Sequence, residues 1–127
     1  MKLTNVGIVI ATRDITLDSH QKVEVRIGKP EPMPDGIDWY CPYQIDGIGS
    51  GNVWWAGGVD AVQALVLALS QVGAKLVCSP EFEAGRLNWD CGAVKGDLGF
   101  PLPQSVVDLA PRPQIPPRQS GPGGQQA

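Results

Sequence analysis

One stretch of the chain, residues 60–76, carries helical periodicity, so whatever it packs against must come from the shorter segments around it. Val62, Leu65, Val66, Leu69, Val72 and Leu76 recur at three- and four-residue spacing, while Gln63, Ser70, Gln71 and Lys75 lie elsewhere on the wheel. Asp60, with Gln63 three residues on, has the spacing of a capping box, and Val59 occupies the staple position. The spacing predicts a helix whose stripe, Val62 to Leu76, is a core face. Leu67 falls on the polar side.

The partner layer is written in twos. Val23, Val25 and Ile27 alternate with Lys22, Glu24 and Arg26, one apolar row inward and one charged row toward water. Residues 6–17 are rich in β-branched side chains, and Asp18-Ser19-His20-Gln21 supplies turn residues, so the two runs predict a β-hairpin with a bend near Thr12–Asp14. Pro30, Pro32 and Pro34 forbid a central ladder and predict an extended connection. In the third strand Trp39, Cys41, Tyr43 and Ile45 share one face and Tyr40, Pro42 and Gln44 the other, with Pro42 favouring an edge or a bulge. Gly47, Gly49 and Gly51 form a turn into a fourth strand, Asn52–Ala56. The expected fold is α+β: a four-stranded antiparallel sheet with one long helix on one face, in the order β-β-β-β-α. Arg86–Trp89 offers a short fifth strand, and Asp97–Pro103 an extended segment anchored by Leu98 and Phe100.

Composition sets the limits of the folded unit. Gly and Pro together supply 28 of 127 residues, well above the roughly 12% that is usual. Much of the excess lies in residues 111–127, which hold five Pro, three Gly and four Gln, with Ile115 the one large apolar side chain. Such a segment cannot offset its ordering entropy and is expected to be disordered, leaving residues 1–110 as one domain. The tail carries Arg112 and Arg118, so residues 1–110 contain 8 basic and 13 acidic side chains. No basic block is present, which argues against a nucleic-acid partner. The apolar stretch Ala61–Ala74 falls short of the roughly 20 residues a membrane span needs, and residues 6–11 are too short for a signal segment, so a cytoplasmic protein is expected.

Chemistry-bearing residues are sparse. His20 is the single histidine and sits in a turn; Cys41, Cys78 and Cys91 lack the short paired spacing of a metal site and read as free thiols. Asp35, Asp38, Asp46 and Asp60 surround the aromatic segment, but acidic turn residues ordinarily keep loops solvated. Gly47–Gly51 lacks the Lys-Ser/Thr of a phosphate loop and leads into a strand. No catalytic residue, metal or cofactor is assigned. Trp54 and Trp55 are adjacent and must point to opposite sides of the sheet. One can pack beneath the helix; the other, with Tyr40, can form an aromatic patch. Tyr40, Trp54 and Trp55 are therefore the candidate binding residues, unless Trp89, Leu98 and Phe100 fold back over that second face.

Three separated motifs, Asp38–Ile45 (DWYCPYQI), Gly58–Leu65 (GVDAVQAL) and Gly96–Pro101 (GDLGFP), resemble a family of small bacterial proteins described only as a domain of unknown function. The resemblance spans residues 8–103 and implies no activity, cofactor or site residue. The leading expectation is a non-enzymatic domain that binds another protein, in the manner of accessory or toxin-neutralising proteins. The alternative is small-molecule or carbohydrate binding at the aromatic patch, with a nearby aspartate available for weak hydrolysis. A third is self-association through Leu67 or an edge strand.

Overall fold

The computed structural model describes residues 1–109, and the tail expected at 111–127 lies outside the described residues. β1 (Val9–Leu17) and β2 (Gln21–Gly28) form the first hairpin, in register from Ala11↔Ile27 to Leu17↔Gln21. The alternation reads as expected: Val23, Val25 and Ile27 are buried. Asp18 and Ser19 close the turn with left-handed φ of 56° and 68°, a region that short polar side chains tolerate. The irregularity in β1 lies between Val9 and Ala11 rather than at Thr12–Asp14, where pairing is unbroken.

β3 (Glu31–Pro32) is a two-residue strand from the proline-rich connection, and it pairs with β4 (Trp39–Asp46). β5 (Val53–Gly58) pairs with β4 along its other side. All pairings are antiparallel, and β4 is an inner strand, flanked by β5 on one side and by β2 and β3 on the other. The edge position that Pro42 suggested is thus corrected. Pro42 lies where β4 changes partner, between residues 43–46, which pair with β2, and residues 39–40, which pair with β3. Its missing N–H falls in that gap in the ladder.

α1 (Ala61–Val77) covers the face that carries Tyr43, Val25 and Ile45. Its start is as predicted: the Asp60 carboxylate accepts from the Gln63 N–H at 2.8 Å, and Gln63 Oε1 accepts from the Val59 N–H at 2.8 Å. Its rotation is not. The buried residues are Ala64, Ala68, Val72, Gly73, Leu76 and Val77, with Leu65 and Leu69 half-buried at the flanks. Val62 and Val66 of the expected core stripe are 69% and 51% exposed, and the staple residue Val59 is 71% exposed. Close approach explains the difference. A Cβ on Gly58 would strike the backbone of Gln63 and Ala64, and Ala56, Ala64 and Ala68 are all fully buried. Near its start, where the helix comes this close to the sheet, it admits small side chains beneath it and turns Val62 and Val66 outward, while Val72, Leu76 and Val77 are buried further along.

After α1, Ser79 caps a short helix α2 (Pro80–Glu83), and β6 (Leu87–Asn88) adds to the outer edge of β1. The fold is therefore the α+β arrangement expected, with two-residue strands β3 and β6 bringing the sheet to six. The segment that follows runs on the helix side. Arg13, opposite Val25, lies 3.9 Å from the centre of the Trp89 ring and 4.7 Å from that of Phe100, and donates to the Leu98 carbonyl at 3.1 Å. Leu98 is buried and Phe100–Leu102 abut Gly73. The expectation that these residues cover the second sheet face is overturned, because the cation they stack on and the groove left by Gly73 both lie on the first. A 3-10 helix, Gln104–Leu109, then packs on α1.

Candidate binding surfaces

Among the described residues, α1 and the aromatic segment of the sheet present apolar or aromatic side chains at three places without an internal partner that fully covers them. The first is the outward side of α1. Val62 and Val66 lie one turn apart on α1, Leu67, 40% exposed, follows Val66, and Val59 stands exposed just before the Asp60 cap. Scattered exposed leucines are ordinary, but aligned β-branched residues on one helix face form a continuous patch.

The second is centred on Trp54. It lies opposite Tyr43 and therefore on the helix side, beyond the edge of α1, and remains 43% exposed. The Lys75 ammonium sits 4.0 Å from the centre of its ring, a distance at which the ring quadrupole attracts the charge. A groove of about 270 Å³ opens beside it, lined by Ile45, Ile48, Pro80 and Glu81. Beneath, Tyr43 donates to Gln71 Oε1 at 2.8 Å, and burial pushes the Tyr43 phenol up to about 12.

The third lies on the opposite face, where Tyr40 and Trp55 meet edge to face with ring centres 6.3 Å apart and planes at 75°. The pair is not bare. Residues 1–8 form an arm across this end of the sheet: Val6 is buried, Trp55 Nε1 donates to the Met1 carbonyl at 3.2 Å, and a Cβ on Gly28 would strike the Val6 carbonyl. A cavity of about 440 Å³ remains between the arm and Lys29, Glu31, Tyr40 and Pro42. The rest of this face is a solvated charge ladder, in which Arg26 meets Glu24 at 2.7 Å and Asp46 at 3.2 Å. The sequence reading missed the arm. Nothing in the pattern of residues 1–8 marks it, since Val6 reads as the start of the apolar run that continues into β1; the fit shows only in the side-chain-free Gly28 against the Val6 carbonyl.

The two tryptophans lie on opposite sides of the sheet, as strand parity requires: Trp55 pairs with Tyr40 beneath the arm, and Trp54 stands on the helix side. The family model of a domain of unknown function, DUF6968, matches residues 11–102. The chain belongs to that family. No curated protein and no solved structure matches it. The DUF6968 span contains Tyr40, Trp54, Trp55 and the whole of α1, and it excludes the arm that covers Tyr40 and Trp55. The expected membership of a family of unknown function is borne out by this match.

The polar groups of this DUF6968 chain are mostly committed to structure. Asp35 accepts from the N–H groups of Ile37 and Asp38, Asp46 pairs with Arg26, and Asp60 caps α1. His20 is exposed in the β1–β2 turn, with Nδ1 2.6 Å from the Asp18 carbonyl. Burial pushes the Cys41 thiol up to about 11, and its sulfur donates to the Gly28 carbonyl at 3.3 Å, which makes it a poor nucleophile. Among the described residues, no three His, Cys, Asp or Glu side chains gather in a metal-binding group, and no helix is long and apolar enough to cross a membrane.

Proposed function

We propose that this DUF6968 chain is a non-enzymatic protein-binding module of the bacterial cytoplasm, with the outward stripe of α1 as its contact surface. The observation that carries the reading is the use of side chains around the first half of α1: Ala64 and Ala68 are buried there while Val59, Val62, Val66 and Leu67 face water, whereas Val72, Leu76 and Val77 are buried in the second half. Each of these aliphatic side chains gains on the order of 1–2 kcal/mol when its exposed area is covered. A partner that covers the stripe supplies that burial, in the manner of a helix face docking an apolar groove. An accessory role such as toxin neutralisation suits a folded part with 13 acidic and 8 basic side chains.

The test is co-purification from the native host with wild type and with Val62→Asp/Val66→Asp, followed by reconstitution with the purified captured protein. The reading expects complex formation with wild type and its loss in the variant. Equal binding by the two chains overturns it.

A second reading, small-molecule or carbohydrate binding, is favoured by the half-exposed ring of Trp54 beside its apolar groove. Trp54→Ala separates the two: it abolishes ligand binding at that groove and leaves a complex through α1 intact.

A further inference from the structure

Among the described residues, β5 exchanges backbone hydrogen bonds with β4 alone, so along its outer edge every second residue presents its N–H and C=O without a backbone partner. Native chains blunt such an edge by shortness, charge, proline or a bulge. β3 has two residues, one of them Pro32, and the outer edge of β1 takes β6. β5 is not blunted: Val53–Gly58 has no charge and no proline, and it pairs with β4 in unbroken register.

α1 lies above this edge, packed mainly on β5 and β4. Lys75 sits on the Trp54 ring, and Gln71 accepts from the Tyr43 hydroxyl. Leu67 is one turn before Gln71, and Asp60 is two turns before Leu67, so all four share the side of α1 toward the β5 edge. Val62 and Val66 do not. They lie three turns and two turns before Gly73, on the side where Phe100–Leu102 pack.

A two-fold axis at Ala56 satisfies strand and helix together. Antiparallel β5 strands related by such an axis pair residues of the same face, and with Ala56 opposite Ala56 of the second copy, Trp55 falls opposite Gly57 and Trp54 opposite Gly58. The two bulkiest side chains of the strand thus meet the two residues that lack one, and aromatic rings cover strand glycines in this way. Strands about 4.8 Å apart, each pair of β5 and β4 carrying its helix above, set the two α1 axes about 10 Å apart, a helix-packing distance. Ala56 is about 7 Å along the strand from Gly58, which abuts Ala64. The same distance along α1 ends close to Ala68, level with Leu67. The antiparallel helices therefore bring Leu67 against Leu67 of the second copy, and Lys75 of each toward Asp60 of the other. Charge is complementary at both ends of the contact.

We propose that a second copy of this chain docks on the outer edge of β5, joining two six-stranded sheets into one, with Leu67 at the two-fold axis and Lys75 of each copy facing Asp60 of the other. The contact uses the side of α1 away from Val62 and Val66. It leaves those valines free, so it stands or falls separately from the protein-binding reading.

Sedimentation equilibrium of the full chain from micromolar to millimolar concentration reads the association. A monomer–dimer equilibrium is expected, and Leu67→Lys and Lys75→Glu, both at exposed helix positions, each raise its dissociation constant by about tenfold or more. Circular dichroism unchanged from wild type shows that the variants fold. Cross-linking locates the contact: with Cys78 and Cys91 replaced by Ser, Leu67→Cys forms a disulfide between copies under mild oxidation and Val62→Cys does not. A chain that stays monomeric throughout overturns the proposal. So does a dimer that both variants leave intact, or one that cross-links through Val62→Cys and not through Leu67→Cys.

Discussion

The Tyr43 hydroxyl donates to Gln71 Oε1 at 2.8 Å, tying the buried face of β4 to the middle of α1. Tyr43→Phe is expected to cost about 1 kcal/mol at neutral pH, the usual net value of such a bond. The pH dependence has a defined sign. Burial raises the Tyr43 phenol from 10 to about 12, so the folded chain retains a proton that the unfolded chain releases. Its contribution is full below pH 10 and is lost as pH rises toward 12, on the order of 2–3 kcal/mol at completion. Urea titrations at pH 7 and pH 11 check this: the gap between wild type and Tyr43→Phe narrows or reverses at the higher pH.

Asp18 and Arg86 join the β1–β2 turn to the segment before β6, with Arg86 Nη2 2.7 Å from Asp18 Oδ2. Hydrogen bonding to Arg86, reinforced by its charge, holds the Asp18 carboxyl below its ordinary value. A lowered acid stabilises the fold above its unfolded pKa, and that stabilisation fades as pH falls through the folded one. Asp18→Asn keeps a residue that tolerates the positive φ. It is expected to lower the urea midpoint at pH 7, with the difference from wild type shrinking below about pH 4.

Arg13 is held between Trp89 and Phe100 and bonds the Leu98 carbonyl. Arg13→Ala is expected to destabilise the chain by about 1–2 kcal/mol, from lost cation–π contact and one charge-assisted bond. Hydrogen exchange reads where the effect falls: amides of Leu98 and Gly99 exchange faster, and those of β2 do not change.

The seat of α1 on the sheet leaves no room for a larger side chain at its small positions, since a Cβ on Gly58 already meets Ala64. Ala64→Leu is expected to cost about 1–3 kcal/mol by overpacking, although leucine is a good helix former. Thermal melting of the variant checks the value.

The strands were legible because each has one dry face: Val23, Val25 and Ile27 leave a single way to place the strand, and Cys41, Tyr43 and Ile45 follow the same rule. The helix was legible in extent and in its Asp60 cap, but its rotation was not. α1 has apolar residues on nearly every side, and a wheel weighs them by hydrophobicity, whereas the close approach of the sheet near the start of α1 selected Ala64 and Ala68 by size; Val72 and Leu76 of the expected stripe are buried further along. What covers the aromatic candidates was not legible for a related reason. The parity of a strand put Trp54 and Trp55 on opposite sides correctly, but parity says nothing of what arrives from elsewhere in the chain, and both the arm over Trp55 and the stacking on Arg13 join residues more than 50 positions apart. Membership of a family of unknown function was expected from the sequence, and the match over residues 11–102 shows it.

The most direct test of the account is the stability of Val62→Ser/Val66→Ser measured by urea unfolding. Serine and valine have similar helix propensities, so burial decides the outcome. With both valines facing water, the double variant unfolds within about 0.5 kcal/mol of wild type. A loss of about 2 kcal/mol or more per site, the cost of placing a hydroxyl in a dry core, would return both residues to the sheet side and contradict the outward stripe on which the proposed binding surface depends.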